Sequence, residues 1–173
     1  MSLPASLSAF ATLPDDARLW LVAFDRPVEA TQFAPEVEAL LGRWRHKGVA
    51  YHGAWTLLED RILAIAEPTL AVQPSGCAID GMLRGVRQIA ERLGLGLLDS
   101  QEVLARLPEG LRAFLRPDLE ARLGDGTLGA STPILDLALL TVGDLRSGRM
   151  ERPLAGTWIG RKYKIQAPAS TGA

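Results

Sequence analysis

The sequence predicts an α+β domain followed by a C-terminal extension. Two observations carry that reading. Short apolar runs bounded by Pro, Gly and acidic residues alternate with two longer stretches whose apolar positions recur every three or four residues, and two of the short runs are separated only by Glu59-Asp60, which demands an antiparallel hairpin. A chain of 173 residues buries roughly 70% of its unfolded surface, enough for a core without disulfides.

Residues 18–25 form a continuous apolar run with Trp20 and Phe24, closed by Arg26-Pro27, and read as a buried strand. Phe33, Val37, Leu40, Leu41 and Trp44 then fall at helical spacing, with Glu36 and Glu38 early, Arg43, Arg45, His46 and Lys47 late, and Gly48 at the stop, so the charges match the helix dipole. Residues 50–58 and 61–66 are the hairpin strands. A second helix carries Ile79, Met82, Leu83, Val86, Ile89, Ala90 and Leu93 and stops at Gly94, and residues 95–99 read as a short strand. The order βαββαβ is that of the ferredoxin-like sandwich, an antiparallel sheet with two helices on one face.

Domain bounds follow. Residues 14–100 are the core, 101–166 an extension packed on it, and 1–13 and 167–173 loose tails rich in Ala, Ser, Thr and Pro. Within the extension, residues 101–123 read as helical segments broken at Pro108 and Pro117, while 134–140 fits either a fifth strand or a buried helix. Thr141 is placed to cap a short helix.

Composition narrows the function. A net charge of −1 gives no overall basic field for nucleic acid or an anionic membrane. No basic, apolar leader opens the chain, and its longest apolar run is too short to span a bilayer. The single cysteine fits a reducing compartment, and a cytoplasmic location is expected.

That cysteine, Cys77, marks the principal candidate site. Ser75 is an N-cap residue and Gly76 opens the second helix, so the thiol sits in a first turn whose free N–H groups and dipole favour an anion or a thiolate. On the helical wheel the apolar stripe centres on Met82 and Val86, and Cys77 falls nearly opposite, sharing a face with Asp80, Gly81, Arg84 and Gln88. The expected ligand-binding set is Ser75, Gly76, Gly81 and Arg84. Cys77 and Asp80 are the candidate catalytic groups, with His52 as a base for the thiol if the fold brings them together. The competing reading, the commoner use of a lone cysteine, is that the extension covers this face and Cys77 is a small buried residue.

Other chemistries find little support. Gly76 and Gly81 have the spacing of a phosphate-binding P-loop, but Met82 and Leu83 stand where that loop needs Lys and Ser or Thr. His46 and His52 are the only histidines, so no metal site and no cofactor are expected. Trp20, Phe24, Tyr51 and Trp55, with basic clusters at 43–47 and 161–164, resemble a stacking platform for RNA, but 61–66 lacks the aromatic RNA-recognition signature, and core packing is the usual role of strand aromatics. Paired carboxylates lie near turns, and no Gly-x-Ser-x-Gly elbow occurs.

Residues 13–21, residues 75–80 and the C-terminal Trp158 resemble landmarks of a small bacterial family often labelled "ABC transporter ATPase". They are spread over most of the chain, while residues 104–133 match nothing in that family and read as an insertion. The resemblance brings no activity to carry over, and the residues after Gly81 argue against the ATPase label. It directs attention to Ser75, Gly76, Cys77 and Asp80. The leading expectation is therefore a protein that binds a small anionic ligand, or reacts through a thiol, at the Cys77 helix. The alternative is a homo-oligomeric interaction module joined through residues 134–140, and RNA binding is weaker still.

Overall fold

The computed structural model describes residues 5–68 and 73–167. After a 3-10 helix at Ala5–Phe10 come β1 (Arg18–Ala23), α1 (Ala30–Gly42), β2 (Arg45–His46), β3 (Val49–Ala50), β4 (Ala54–Leu58), β5 (Ile62–Glu67) and α2 (Gly76–Arg92). Then follow β6 (Glu102–Leu107), β7 (Gly110–Leu115), α3 (Leu119–Gly124), β8 (Pro133–Leu135), α4 (Val142–Arg146), β9 (Glu151–Pro153) and α5 (Trp158–Tyr163), with 3-10 turns at Arg116–Asp118 and Leu154–Gly156. The chain divides into two units, Met1–Leu97 with Leu137–Ser147, and Leu98–Asp136 with Gly148–Ala173. Antiparallel sheets and helices make it an α+β structure.

In the first unit β5 lies between β1 and β4, both antiparallel to it, and all six of its residues are buried. The β4–β5 hairpin turns on Glu59 and Asp60, both at positive φ (49° and 52°), the handedness that matches strand twist. Trp20 and Val22 of β1, Trp55 and Leu57 of β4, and Leu63 and Ile65 of β5 share one face, where they pack against Phe33, Val37 and Leu41 of α1 and Ala78, Met82, Val86, Ile89 and Ala90 of α2. The helices touch closely at Gly85, where a Cβ would lie 2.3 Å from Leu40 Cδ1.

The expected strand at 95–99 does not form. Leu97 makes a lone antiparallel bridge to Phe24, the Asp25 N–H donates to the Gly96 carbonyl at 2.9 Å, and the Gly96 N–H donates to Asp25 Oδ1 at 3.0 Å. Gly96 lies so close to Asp25 that a Cβ there would sit 2.8 Å from Oδ2, so this stretch serves the Asp25 turn and does not extend the sheet. Three separate sheets therefore replace the single four-stranded one expected. The expected strand at 50–58 likewise divides into β3 and β4, leaving Tyr51, His52 and Gly53 between them.

The N-terminal tail is tied down rather than loose from residue 7 onward. Leu7 and Phe10, one 3-10 turn apart, are buried, and the Arg146 guanidinium donates to the Phe10 and Leu13 carbonyls. Arg146 reaches them because residues 137–147, expected in the extension, belong to the first unit: the Leu19 N–H donates to the Leu140 carbonyl at 2.9 Å, and Thr141 Oγ1 caps α4 by accepting the Asp144 N–H at 3.1 Å. The expected C-terminal tail, beyond Ala167, lies outside the described residues.

The second unit holds the sheet β7-β6-β8-β9. Residues 102–115, expected to be helical, form a β-hairpin. Val103, Ala105 and Leu107 alternate inward with period two and join Phe114, Ile134, Leu154 and Ile159 in the core, and Pro108-Glu109 forms a turn where it was expected to break a helix. Residues 134–140 are neither one strand nor a helix. Their first two residues belong to β8, which is flanked on both sides by β6 and β9 and offers no open edge to a partner.

Candidate functional site

Ser75 dictates how α2 begins. Its extended backbone lets Oγ accept the Ala78 N–H at 3.2 Å while its carbonyl accepts the Ile79 N–H at 3.0 Å. The N–H groups of Gly76 and Cys77 stand ahead of the first intrahelical bond and have no acceptor within the helix. Cys77 is exposed, as are Ser75, Gly76, Asp80, Gly81, Arg84 and Gln88. The reading in which the thiol is covered is therefore overturned: these residues form the solvent face of α2, and Ala78, Met82 and Val86 form its buried one.

His52 is not brought to Cys77 by any hydrogen bond among the described residues. It lies exposed in the connection before β4, close enough to Glu67 to act on its carboxyl. Glu67 is a candidate group that sequence reasoning missed. It ends β5 in phase with Leu63 and Ile65 on the helix-facing side, has no exposed surface, and neither carboxyl oxygen has a hydrogen-bond partner among the described residues. Burial raises its pKa above the usual carboxylate value, because the charged form loses its water. The His52 backbone N–H, the His52 imidazole and the Arg18 guanidinium pull it the other way, but none reaches hydrogen-bond geometry with either oxygen. The signal in the sequence was a carboxylate continuing the inward alternation of Leu63 and Ile65.

Arg18 stands directly opposite Glu67 in the β1–β5 register, yet makes no ion pair among the described residues. Its guanidinium carbon lies 5.3 Å from the centroid of Trp20, a cation–π seat. Trp20 meets Trp44 edge-on at 5.6 Å, Trp44 packs on Tyr51 at 5.1 Å, and the Trp44 indole N–H donates to the Ala78 carbonyl at 2.9 Å. This aromatic chain ties the Arg18–Glu67 end of the sheet to the first turn of α2. On either side of buried Trp44 are exposed Arg43 and Arg45, and Lys47 sits at the tip of the β2–β3 hairpin, where Lys47 (φ 48°) and Gly48 (φ 82°) make the turn. No acidic residue occurs between Glu38 and Glu59, so this stretch is uniformly positive.

The second unit has a cavity of about 460 Å³ lined mainly by Leu123, Leu128, Tyr163 and Ile165, with Glu120 as its one charged group. Among the described residues no group of three or more His, Cys, Asp or Glu could hold a metal ion, and no helix is long and apolar enough to cross a membrane. No protein-family model matches the chain, and neither the curated proteins nor the solved structures contain a significant match to it.

Proposed function

We propose that the protein binds a small anionic ligand on its first unit, at the end where Arg18 and His52 act on Glu67 and where Trp20 and Trp44 link that end to the first turn of α2. The observation that carries this reading is Arg18, a guanidinium seated on Trp20 with no carboxylate paired to it among the described residues, although the buried carboxyl of Glu67 stands opposite in register. A neutral Glu67 leaves the charge of Arg18 uncancelled, and the Gly76 and Cys77 N–H groups add the positive end of α2. Ser75 holds that turn in place, and Cys77 lies on its exposed side. The likeness carried by residues 75–80 contributes the location and not a hydrolase activity.

The same unit is best read as a ferredoxin-like sandwich whose fourth strand is cut to one bridge. The order β4-β5-β1, the packing of α1 and α2 on one face, and the Phe24–Leu97 bridge on the free side of β1 support that reading.

Sulfate, an anion that does not titrate near neutral pH, is the probe. Calorimetric titration at low ionic strength, on the acid side of neutrality, is expected to give saturable one-to-one binding. Arg18→Gln should weaken it about tenfold or more, since a hydrogen bond to a charged group contributes roughly 1.5–3 kcal/mol. Absent saturation, or equal affinity in Arg18→Gln, refutes the reading.

A further inference from the structure

We propose that Glu67 makes this anion site proton-linked, so that the anion is held while the carboxyl is neutral and released when it ionises. The inference rests on the anion-binding reading above. Its foundation is the placement of Glu67, fully buried, opposite Arg18 in register, within the electrostatic reach of His52, and without a hydrogen-bond partner for either oxygen among the described residues.

Arg18 from β1 and His52 from the connection before β4 are the charged groups that act on this carboxyl. Beyond them the sheet contributes Trp20 and Trp55, and the helices present apolar side chains to this face, Phe33, Val37 and Leu41 from α1 and Ala78, Met82 and Val86 from α2. None of these helix side chains carries a charge that could neutralise an ionised Glu67. The negative charge would be met by Arg18 and His52, the two groups assigned to the ligand. An ionised Glu67 is thus an internal competitor: it draws the guanidinium from its seat on Trp20 and cancels the field an outside anion needs. Linkage runs both ways, so an anion on Arg18 and His52 raises the proton affinity of Glu67, and binding near its titration point takes up as much as one proton from solvent.

The test compares sulfate affinity against pH in the wild type and in Glu67→Gln, whose amide matches the neutral carboxyl in size. Every other titratable group is common to both proteins, so the ratio of the two affinities isolates Glu67. The ratio should be near one at the acid end, and Glu67→Gln should bind about tenfold more tightly at the upper end, the scale of a unit charge roughly 10 Å away at an effective dielectric of about 20. A second measurement needs no variant: wild-type binding heats in two buffers of different ionisation enthalpy should report proton uptake. Saturable sulfate binding with a constant ratio, or with no proton uptake at any pH, overturns the proton link alone. Absence of sulfate binding at the acid end overturns the anion site and the link together.

Discussion

Replacing Glu67 by Gln should stabilise the protein increasingly as pH rises. In the unfolded chain Glu67 titrates at the ordinary value of about 4.3, whereas burial holds the folded carboxyl higher. Between those two values the folded state binds the extra proton, so ∂ΔG/∂pH for unfolding is negative. Wild-type stability is fully present below the unfolded value, falls by as much as about 1.4 kcal/mol per pH unit above it, and levels once the folded carboxyl has ionised. Glu67→Gln carries no such loss. The two proteins should coincide at acid pH and diverge with that slope, to a gap of roughly 1–3 kcal/mol at neutral pH if it matches the usual cost of a buried polar group left without a partner. Urea unfolding at a series of pH values measures it directly. Parallel stability curves, or a Gln variant weaker than wild type at neutral pH, would refute the claim that the buried carboxyl is uncompensated.

Two further outcomes follow from local geometry. Gly160→Ala should disrupt the second unit, because a Cβ there would lie 2.4 Å from the backbone carbonyl oxygen of Ala155, which cannot swing aside as a side chain could; a loss of about 3 kcal/mol or more is expected, read as a lowered urea midpoint. Cys77 should react with a chromogenic disulfide as completely in the native protein as in denaturant, with Cys77→Ser abolishing the signal; a native thiol that stays silent until unfolding contradicts its exposure on α2.

What could be read in the sequence was whatever local periodicity decides. Residues 18–23, the hairpin about Glu59-Asp60 and the two long helices each bury a regular stripe, and the same wheel that put Met82 and Val86 inward put Cys77 outward. The first helix is shorter than its pattern: it ends at Gly42, and Arg45, His46 and Lys47, expected in its last turn before Gly48, lie in the β2–β3 hairpin, because Trp44 continues the apolar stripe from outside the helix. The failures share a different cause. Residues 102–115 mix apolar and charged positions so that both periods fit, and only the pairing of β6 with β7 along its whole length, joined by Ile134 opposite Ala105, shows the choice. Residues 137–147 sit with β1 through the Leu19–Leu140 bond, a contact no local pattern announces. Leu7 and Phe10 offered only two apolar residues one turn apart. Glu67 was overlooked because a glutamate after an apolar run ordinarily marks the exit from a strand, and only the pairing with Arg18 reveals that it is still inside one.

Stability alone does not account for Glu67. An apolar residue of similar volume would fill the same place among Leu63, Ile65 and the helices without leaving two oxygens unpartnered, and replacing a buried polar group in that way is commonly neutral or favourable. Nor does Glu67 serve as a counter-ion, since Arg18 lies over Trp20 and makes no ion pair with it. A buried acid and a guanidinium seated on Trp20, opposite in register and without an ion pair between them, form an arrangement that costs folding energy and leaves one positive charge available. That cost is explained if the charge is reserved for a ligand and the acid decides when the ligand is held. Glu67→Met separates the two roles: it should raise stability at neutral pH as Glu67→Gln does, and it should remove from sulfate binding the part of its pH dependence that wild type shows and Glu67→Gln lacks.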